Sequence, residues 1–109
     1  MAPPSSRPCS VRLTPAAADD LDGAFAYVGE RDRRGAAELL DRLQDAVERL
    51  ANFPEMGVTL PVEDFELLTP GIRFLVVEPY LVFYRVLDDR VVILRILHSR
   101  RDSLGGLFG

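Results

Sequence analysis

The segment from Arg95 to Asp102 (RILHSRRD) carries the side chains best suited to chemistry, because a strand-like run ends there and four ionisable residues follow within five positions. Arginine binds phosphates or carboxylates through paired hydrogen bonds, and histidine exchanges a proton near neutral pH. Ribonuclease chemistry needs a base for the 2′-hydroxyl, a proton donor for the leaving oxygen and positive charge on the transition state. The set that could supply these groups is His98, Arg73, Arg85 and Arg100.

The same side chains also have a purely structural interpretation. His98 would hydrogen-bond backbone at a strand end, and the arginines would pair with the acidic residues of the same region, which are Glu78, Asp88, Asp89 and Asp102. On the residue types alone the structural interpretation is favoured, so we expect no catalytic residue.

Several other kinds of site are excluded by what the sequence lacks. It has no glycine-rich phosphate loop and no GxSxG, and one histidine with one cysteine (Cys9) cannot form a zinc site. The carboxylates of the helical region are predicted to lie on solvated helix faces rather than to converge: Asp19, Asp20, Asp22, Asp41 and Asp45. We therefore expect neither a metal nor a cofactor.

The composition predicts one small acidic domain. With 109 residues, of which 48% are hydrophobic, the chain can bury a core without disulfides. The net charge of −4 argues against non-specific nucleic-acid binding, because long-range attraction to phosphate is lost, and we expect no direct sequence-specific DNA binding. No apolar run is long enough for a signal peptide or a membrane span, so the expected location is the cytoplasm.

The first half of the chain is predicted to form a strand and two helices. Residues 10–13 alternate polar and apolar side chains, and Thr14-Pro15 is a typical helix start. The helices are predicted over 15–30 and 34–52, with a charged turn over 29–35. Their apolar stripes, both assigned to the core, are Ala17, Leu21, Ala24, Phe25 and Val28, then Ala36, Leu40, Leu43, Val47 and Leu50.

The second half is predicted to be β-structure. A connector over 52–71 carries at most a short ordered piece at 62–68, and strands follow over 72–77, 81–87 and 91–98. Short connections make them an antiparallel meander, and the helical hairpin must cover one of its faces. The expected fold is α+β in the order β-α-α-β-β-β. A single domain spans 10–102, between a flexible lead-in (1–9) and a flexible tail (103–109).

The position of Arg85 relative to Arg95 depends on the last hairpin. A three-residue loop places the two side chains on one face of the sheet, whereas a two-residue loop places them on opposite faces. Both registers are compatible with the sequence.

The ordered set of motifs resembles the RelE/ParE toxin superfamily over residues 10–102, nearly the whole domain. The segments that carry the resemblance are VRLTPAA (11–17) with Asp20-Leu21, LANFP (50–54) with Gly57, PGIR (70–73), VFYRV (82–86) and ILRILHSRRD (93–102). The resemblance implies the toxin of a type II toxin–antitoxin pair, active in stress or plasmid maintenance, with a cognate antitoxin as partner. The antitoxin's partly helical, partly extended segment would lie between helical hairpin and sheet. Candidate groove residues are Leu21, Phe25, Tyr84 and Arg85.

Within the superfamily, the residues favour the ParE-like branch, whose members bind DNA gyrase and trap its cleaved DNA complex. Members of the mRNA-cleaving branch resemble one another in having a C-terminal tyrosine or a histidine–tyrosine pair. In this sequence Ser99 follows His98, and no tyrosine follows Tyr84. The gyrase-binding candidates are Arg95, His98, Arg100 and Arg101. The alternatives are a ribosome-dependent mRNA endoribonuclease and a non-toxic remnant that only binds antitoxin.

Overall fold

Two helices and five strands make up the described parts of the chain, residues 9–59 and 71–99 of a computed structural model. The elements are β1 (Ser10–Leu13), α1 (Pro15–Arg31), α2 (Arg33–Asn52), β2 (Val58–Thr59), β3 (Arg73–Val77), β4 (Tyr80–Leu87) and β5 (Arg90–His98). The predicted order is confirmed, with β2 as an addition inside the predicted connector. The predicted ordered piece at 62–68, residues 1–8 of the predicted lead-in and the predicted tail over 103–109 lie outside the described residues.

The strands form one sheet in the order β1-β5-β4-β3-β2. The predicted antiparallel meander of β3, β4 and β5 is confirmed. β1 pairs parallel with β5, and the helical hairpin forms the crossover between β1 and the rest of the sheet. The α+β prediction is confirmed: two helices pack on a mostly antiparallel sheet.

The helical hairpin is tighter than the sequence predicted. Thr14 caps α1 as predicted, its hydroxyl accepting a hydrogen bond from the Ala17 N–H at 3.1 Å. The predicted turn over 29–35 is wrong, because Asp32 alone separates the helices. Its N–H donates to the Val28 carbonyl, and its own carbonyl accepts from the Ala36 N–H. Neither helix combines the length and apolar character that a bilayer span requires.

The core lies between the hairpin and the sheet. Its buried side chains include Ala17, Ala24, Leu39, Leu43, Ala46, Leu50, Val82, Tyr84, Val91, Ile93 and Ile96. The predicted α2 stripe is partly wrong: Leu39 and Ala46 are buried, whereas Leu40 is 40% exposed and Val47 is half-buried. The helix is therefore rotated so that one edge of its apolar side leaves the core.

The other face of the sheet carries a second apolar cluster. Ile72, Phe83 and Leu97 are buried there, and Phe74, Leu81 and Leu94 pack against them. Since side chains alternate along a strand, Phe83 points away from the helices while its neighbours Val82 and Tyr84 point toward them.

The short strand β2 is held by a buried hydrogen bond. The Gly57 N–H donates to the Tyr84 hydroxyl at 2.8 Å, and Tyr84 is fully buried. A methyl group on residue 57 would lie 2.5 Å from that hydroxyl, so this close approach requires glycine. Arg73 adds hydrogen bonds from its guanidinium to the Glu55 and Gly57 carbonyls. The connector prediction missed this strand, since two residues are too short for a hydrophobic pattern.

The outer edge of β5 changes partner halfway along the strand. β1 pairs with this edge as far as Ile93. Beyond Ile93, side chains at the start of α1 hydrogen-bond the backbone of β5: the Thr14 hydroxyl donates to the Leu94 carbonyl, and the Asp20 carboxylate accepts from the Ile96 N–H. Asp20 also accepts two hydrogen bonds from Arg95, at 2.7 and 2.9 Å. The Asp20 side chain is only 14% exposed, so its predicted solvated position is wrong.

A bulge decides the register of Arg85 and Arg95. The β4–β5 turn has two residues, Asp88 and Asp89, and Arg85 lies opposite Val92. Without a bulge this turn would put the two arginines on opposite faces. The register shifts between Phe83 and Tyr84, however, so that Arg95 lies opposite Phe83. Arg95 therefore points to the same face of the sheet as Arg85.

Asp20→Asn should destabilise the protein in a pH-dependent way. Burial raises the pKa of Asp20, but hydrogen bonds from Arg95 and Ile96 and the Arg95 charge outweigh it and lower the pKa below its ordinary value. The carboxylate's contribution is therefore fully present above the ordinary pKa and is lost as pH falls through the lowered one. We expect a loss of about 1–2 kcal/mol at pH 7, moderated by the exposure of Arg95, that shrinks as the pH falls below 3.8 and disappears below the lowered pKa.

Urea unfolding at a series of pH values measures this difference. The control is Asp19→Asn, an exposed neighbour on the same helix, which should change stability by less than about 0.5 kcal/mol. A constant difference between wild type and Asp20→Asn across the pH range would contradict the assigned role.

Tyr84→Phe should destabilise the protein by about 1–3 kcal/mol, because the buried Gly57 N–H loses its acceptor. Tyr27→Phe removes the same atom from the partly exposed side of α1 and should cost much less. Equal losses in chemical denaturation would show that the buried hydrogen bond contributes nothing specific.

Candidate protein-binding site

An apolar groove opens between the two helices and the sheet. It encloses a cavity of about 150 Å³, and its lining includes Leu13, Leu21, Leu40, Gln44 and Val47 on the outer side. Val82, Ile93 and Ile96 of the sheet also line it. Leu13 and Leu40 are large apolar side chains that remain more than a third exposed. This surface can bind another apolar surface, and its single polar side chain offers little chemistry.

An acidic side chain borders this groove: Glu48 lies one helical turn after Gln44 and is exposed. Asp22 and Asp41 are also exposed, and they directly follow Leu21 and Leu40, about 100° farther around their helices. A ligand that fits the groove therefore combines an apolar face with positive charge at its margin.

The four residues predicted for the antitoxin groove do not come together. Leu21 lines the cavity, and Phe25 is half-buried against the helix-side core. Tyr84 is fully buried beneath the helices and is not part of the cavity lining. Arg85 follows Tyr84 in the strand and so points to the opposite face of the sheet. Because neighbouring side chains of a strand point to opposite faces, Tyr84 and Arg85 of β4 cannot line the same groove. Their contact with an antitoxin stays a prediction.

The surroundings of Tyr84 indicate that its side chain has a role in the fold. Burial raises the pKa of the Tyr84 phenol above its ordinary value, although the hydrogen bond from Gly57 and the charge of Arg73 act in the lowering direction. The phenol therefore stays protonated and neutral, and its oxygen is occupied by the Gly57 N–H.

The residues predicted for an endoribonuclease are spread over the sheet. Arg73 holds the loop before β2, through the Glu55 and Gly57 carbonyls. His98 lies at the end of β5, opposite Tyr80, with the two rings edge to face at 5.2 Å. Arg85 lies five residues from Tyr80 along β4, roughly 17 Å away, on the other face. The described residues of the set thus do not converge on one point, and Arg100 lies outside the described part.

The residues predicted to bind gyrase have different surroundings. The Arg95 guanidinium is fixed on Asp20, yet 42% of the side chain is exposed, so it can contribute both to the fold and to a surface. His98 is half-buried beside Tyr80. Arg100 and Arg101 lie outside the described residues.

Metal binding has no structural support in residues 9–59 and 71–99, where no three histidine, cysteine, aspartate or glutamate side chains come close enough to share an ion. The carboxylate with the most contacts, Asp20, is occupied by Arg95 and the Ile96 N–H.

Sequence analysis missed most of the groove lining, which includes Leu13, Leu40, Gln44 and Val47. The signal was present in the width of the α2 apolar side. Leu39, Leu40, Leu43, Ala46, Val47 and Leu50 occupy more of the helix circumference than one core contact needs. A helix with such a wide apolar side has a second apolar contact to make.

Comparison with known proteins assigns the chain to a family of toxins. Residues 11–103 match the family model described as the ParE toxin of the type II toxin–antitoxin system, parDE. Toxin ParE3 of Caulobacter vibrioides is 38% identical over 84 residues, covering 76% of this chain and 79% of the relative. Toxin RelE2 of the same organism is 36% identical over 83 residues, covering 75% and 85%.

Two solved structures have the same fold. The chromosomal ParDE toxin–antitoxin system from P. aeruginosa matches with a TM-score of 0.64 and 25% identity, over 83% of this chain and 95% of that one. The toxin–antitoxin complex RelBE2 from Mycobacterium tuberculosis matches with a TM-score of 0.58 and 27% identity, over 86% and 94%. With the apolar groove and this match over most of its length, the chain belongs to the ParE toxin family of type II toxin–antitoxin systems.

Proposed function

We propose that this toxin arrests growth by binding DNA gyrase in the cytoplasm and trapping its cleaved DNA complex, without catalysing a reaction itself. The separation of the nuclease candidates carries the proposal. A general acid–base mechanism needs its groups within hydrogen-bonding reach of one substrate. His98 and Arg85 are instead roughly 17 Å apart along the sheet and on opposite faces.

Two of the basic side chains are hydrogen-bonded within the fold, which also supports a function without catalysis. Arg73 hydrogen-bonds two backbone carbonyls, and Arg95 forms a two-point ion pair with Asp20. These bonds explain both arginines as parts of the fold, with no catalytic role required of either. A protein that binds another protein needs no such convergence of charged groups.

The second candidate function is cleavage of mRNA on the ribosome. The similarity to Toxin RelE2 and to the RelBE2 complex favours it, because both names belong to the RelE side of the superfamily. In this alternative the ribosome and the bound mRNA would have to complete a site that the described residues do not form.

The proposed partner that neutralises the toxin is a cognate antitoxin seated in the apolar groove. Solved relatives include toxin–antitoxin complexes. The groove suits an amphipathic helix whose bulky aliphatic side chain fills the cavity near Leu40 and Val47. Basic residues beside that helix would complement Asp22, Asp41 and Glu48.

A gyrase supercoiling assay with the purified toxin is the direct test. We expect loss of supercoiling with accumulation of cleaved DNA, and recovery when the antitoxin is added in excess. The Arg100→Ala/Arg101→Ala double variant should arrest growth less strongly. Normal supercoiling by a toxin that still stops growth would reassign the target to the ribosome, whereas a chain that never affects growth would be an antitoxin-binding remnant.

Leu40→Gln should weaken antitoxin binding about fivefold, because burial of the exposed 40% of the leucine side chain contributes roughly 1 kcal/mol. Since Leu40 is 40% exposed, the fold should tolerate the change. The cognate antitoxin, identified as the protein that restores growth, is titrated calorimetrically. Tyr27→Gln, at an exposed apolar residue of α1 that does not line the groove, is the control. Equal affinities of both variants and the wild type would exclude the groove.

A further inference from the structure

Charge is divided between the two layers of the fold. The two helices contain eight acidic residues and five arginines, whereas the five strands contain five arginines and neither aspartate nor glutamate. The net charge of the whole chain is −4, so the sheet is a basic layer in an acidic protein. Its arginines are Arg12, Arg73, Arg85, Arg90 and Arg95.

Two of these arginines are used by the fold, and three are not. Arg73 hydrogen-bonds backbone carbonyls, and Arg95 is paired with Asp20. Among residues 9–59 and 71–99, no acidic side chain forms an ion pair with the other three, which are Arg12, Arg85 and Arg90. Like charges placed close together repel one another, so these three contribute no electrostatic stability to the fold. Their charge is open to a ligand.

The three unpaired arginines share the far face of the sheet, which is the face turned away from the helices. Arg12 of β1 and Arg85 of β4 lie opposite the same residue of β5, Val92, one on either side of it. Their chain neighbours Val11 and Val86 pack on the helix-side core. Because side chains alternate along a strand, Arg12 and Arg85 point to the far face.

Arg90 completes a compact basic cluster. It directly precedes Val91, which is buried in the helix-side core, so Arg90 also points to the far face. Strands lie about 4.8 Å apart, so the Cα atoms of Arg12 and Arg85 are roughly 10 Å apart, with Arg90 a diagonal neighbour of both. Arg12 and Arg90 are exposed, and Arg85 is half-buried.

An apolar area adjoins these arginines on the same face. Phe83 and Leu97 are buried there, and Leu81 and Leu94 pack against them. Val92, half-buried, lies between Arg12 and Arg85. An apolar centre beside arginines is the composition of a protein–protein interface, in which arginine is the enriched basic residue.

A phosphate backbone suits this face less well than an acidic protein surface does. Asp88 and Asp89, both exposed, form the turn directly before Arg90 and would repel a run of phosphates laid across it. The apolar area would add nothing to phosphate binding, which depends on charge. A protein surface can place acidic groups against the arginines and apolar groups beside them.

The two sides of the sheet therefore call for partners of opposite charge. The groove on the helix side, with Glu48 at its margin, suits a ligand with positive charge, as proposed for the antitoxin. The far face suits a negative one. Arg95, a candidate for gyrase binding, points to the same face as Arg85 and remains 42% exposed. The partner matched to this face is thus the target rather than the antitoxin.

We propose that the far face of the sheet, with Arg12, Arg85 and Arg90 around Val92, binds an acidic, partly apolar surface of gyrase. This inference rests on the gyrase target proposed above and names the surface of the toxin that contacts it. An antitoxin in the groove would lie on the other side of the sheet. It would keep the toxin from gyrase by its bulk, without covering these arginines.

Titration of gyrase holoenzyme, without DNA, with variants of the full toxin tests the far face. Arg12→Glu should weaken binding about tenfold and Arg85→Gln about threefold at low salt, because charge at an interface governs the rate of association. The matched controls Arg34→Glu and Arg33→Gln, at exposed positions of α2, should stay within about twofold. Added salt should weaken wild-type binding more steeply than Arg12→Glu binding.

Urea unfolding and titration with the cognate antitoxin separate binding from folding. Arg12→Glu and Arg85→Gln should unfold at the same urea concentration as the wild type or a higher one, since each removes a repelling charge. Both should bind the antitoxin with wild-type affinity, because the groove lies on the other side of the sheet. Antitoxin affinity that falls as much as gyrase affinity would assign these arginines to a structural role or to the antitoxin, and would overturn the inference.

The remaining outcomes distinguish this inference from the proposed function. Inhibition of gyrase by the wild type, with equal gyrase affinity in both variants, would overturn the far face and leave gyrase as the target. A wild-type toxin that neither binds nor inhibits gyrase would overturn both proposals. Binding of DNA alone that both variants abolish would assign the arginines to phosphate, and would also overturn the inference.

Discussion

The outer edge of β5 is longer than the strand that pairs with it, and the fold depends on how its remaining backbone groups are satisfied. β1 ends at Ile93, and an unpaired backbone group inside a protein costs as much as a lost hydrogen bond. The Thr14 hydroxyl and the Asp20 carboxylate supply the missing partners. α1 can therefore take only a position in which both side chains reach β5, and that position determines where α2 lies.

Helix α2 is consequently placed between two different surfaces. On one side it borders the apolar groove through Leu40 and Val47, and on the other it borders a charged cleft through Arg42 and Arg49. Leu39, Leu43, Ala46 and Leu50 hold it on the core between them. This division explains how one helix that carries many charged residues still has a wide apolar side, and why neither surface disturbs the packing of the other.

Local patterns in the sequence predicted the helices and the three long strands well. They could not predict contacts between residues that are far apart in the chain. The helices and the three long strands end within a few residues of their predicted limits, because periodicity and capping are local. The pairing of Asp20 with Arg95 joins residues 75 positions apart, and nothing near Asp20 distinguishes it from Asp19. The bulge beside Phe83 decides the face of Arg95, which the sequence left open, and no glycine or proline marks it.

The groove residues illustrate the same limit on a smaller scale. Spacing alone selected Leu40 and Val47 as core, although the rotation of α2 buries Leu39 and Ala46 instead. That rotation is set by contacts with β1, β3 and β5, which the helix sequence does not contain. The single-residue connection at Asp32 ties the two helices together, because both use its backbone: its N–H donates to the Val28 carbonyl and its carbonyl accepts from the Ala36 N–H. So short a connection leaves the helices little freedom to separate near the turn. If an antitoxin binds in the groove, as proposed, shape would govern its selection and the entropic cost of ordering would fall on the antitoxin.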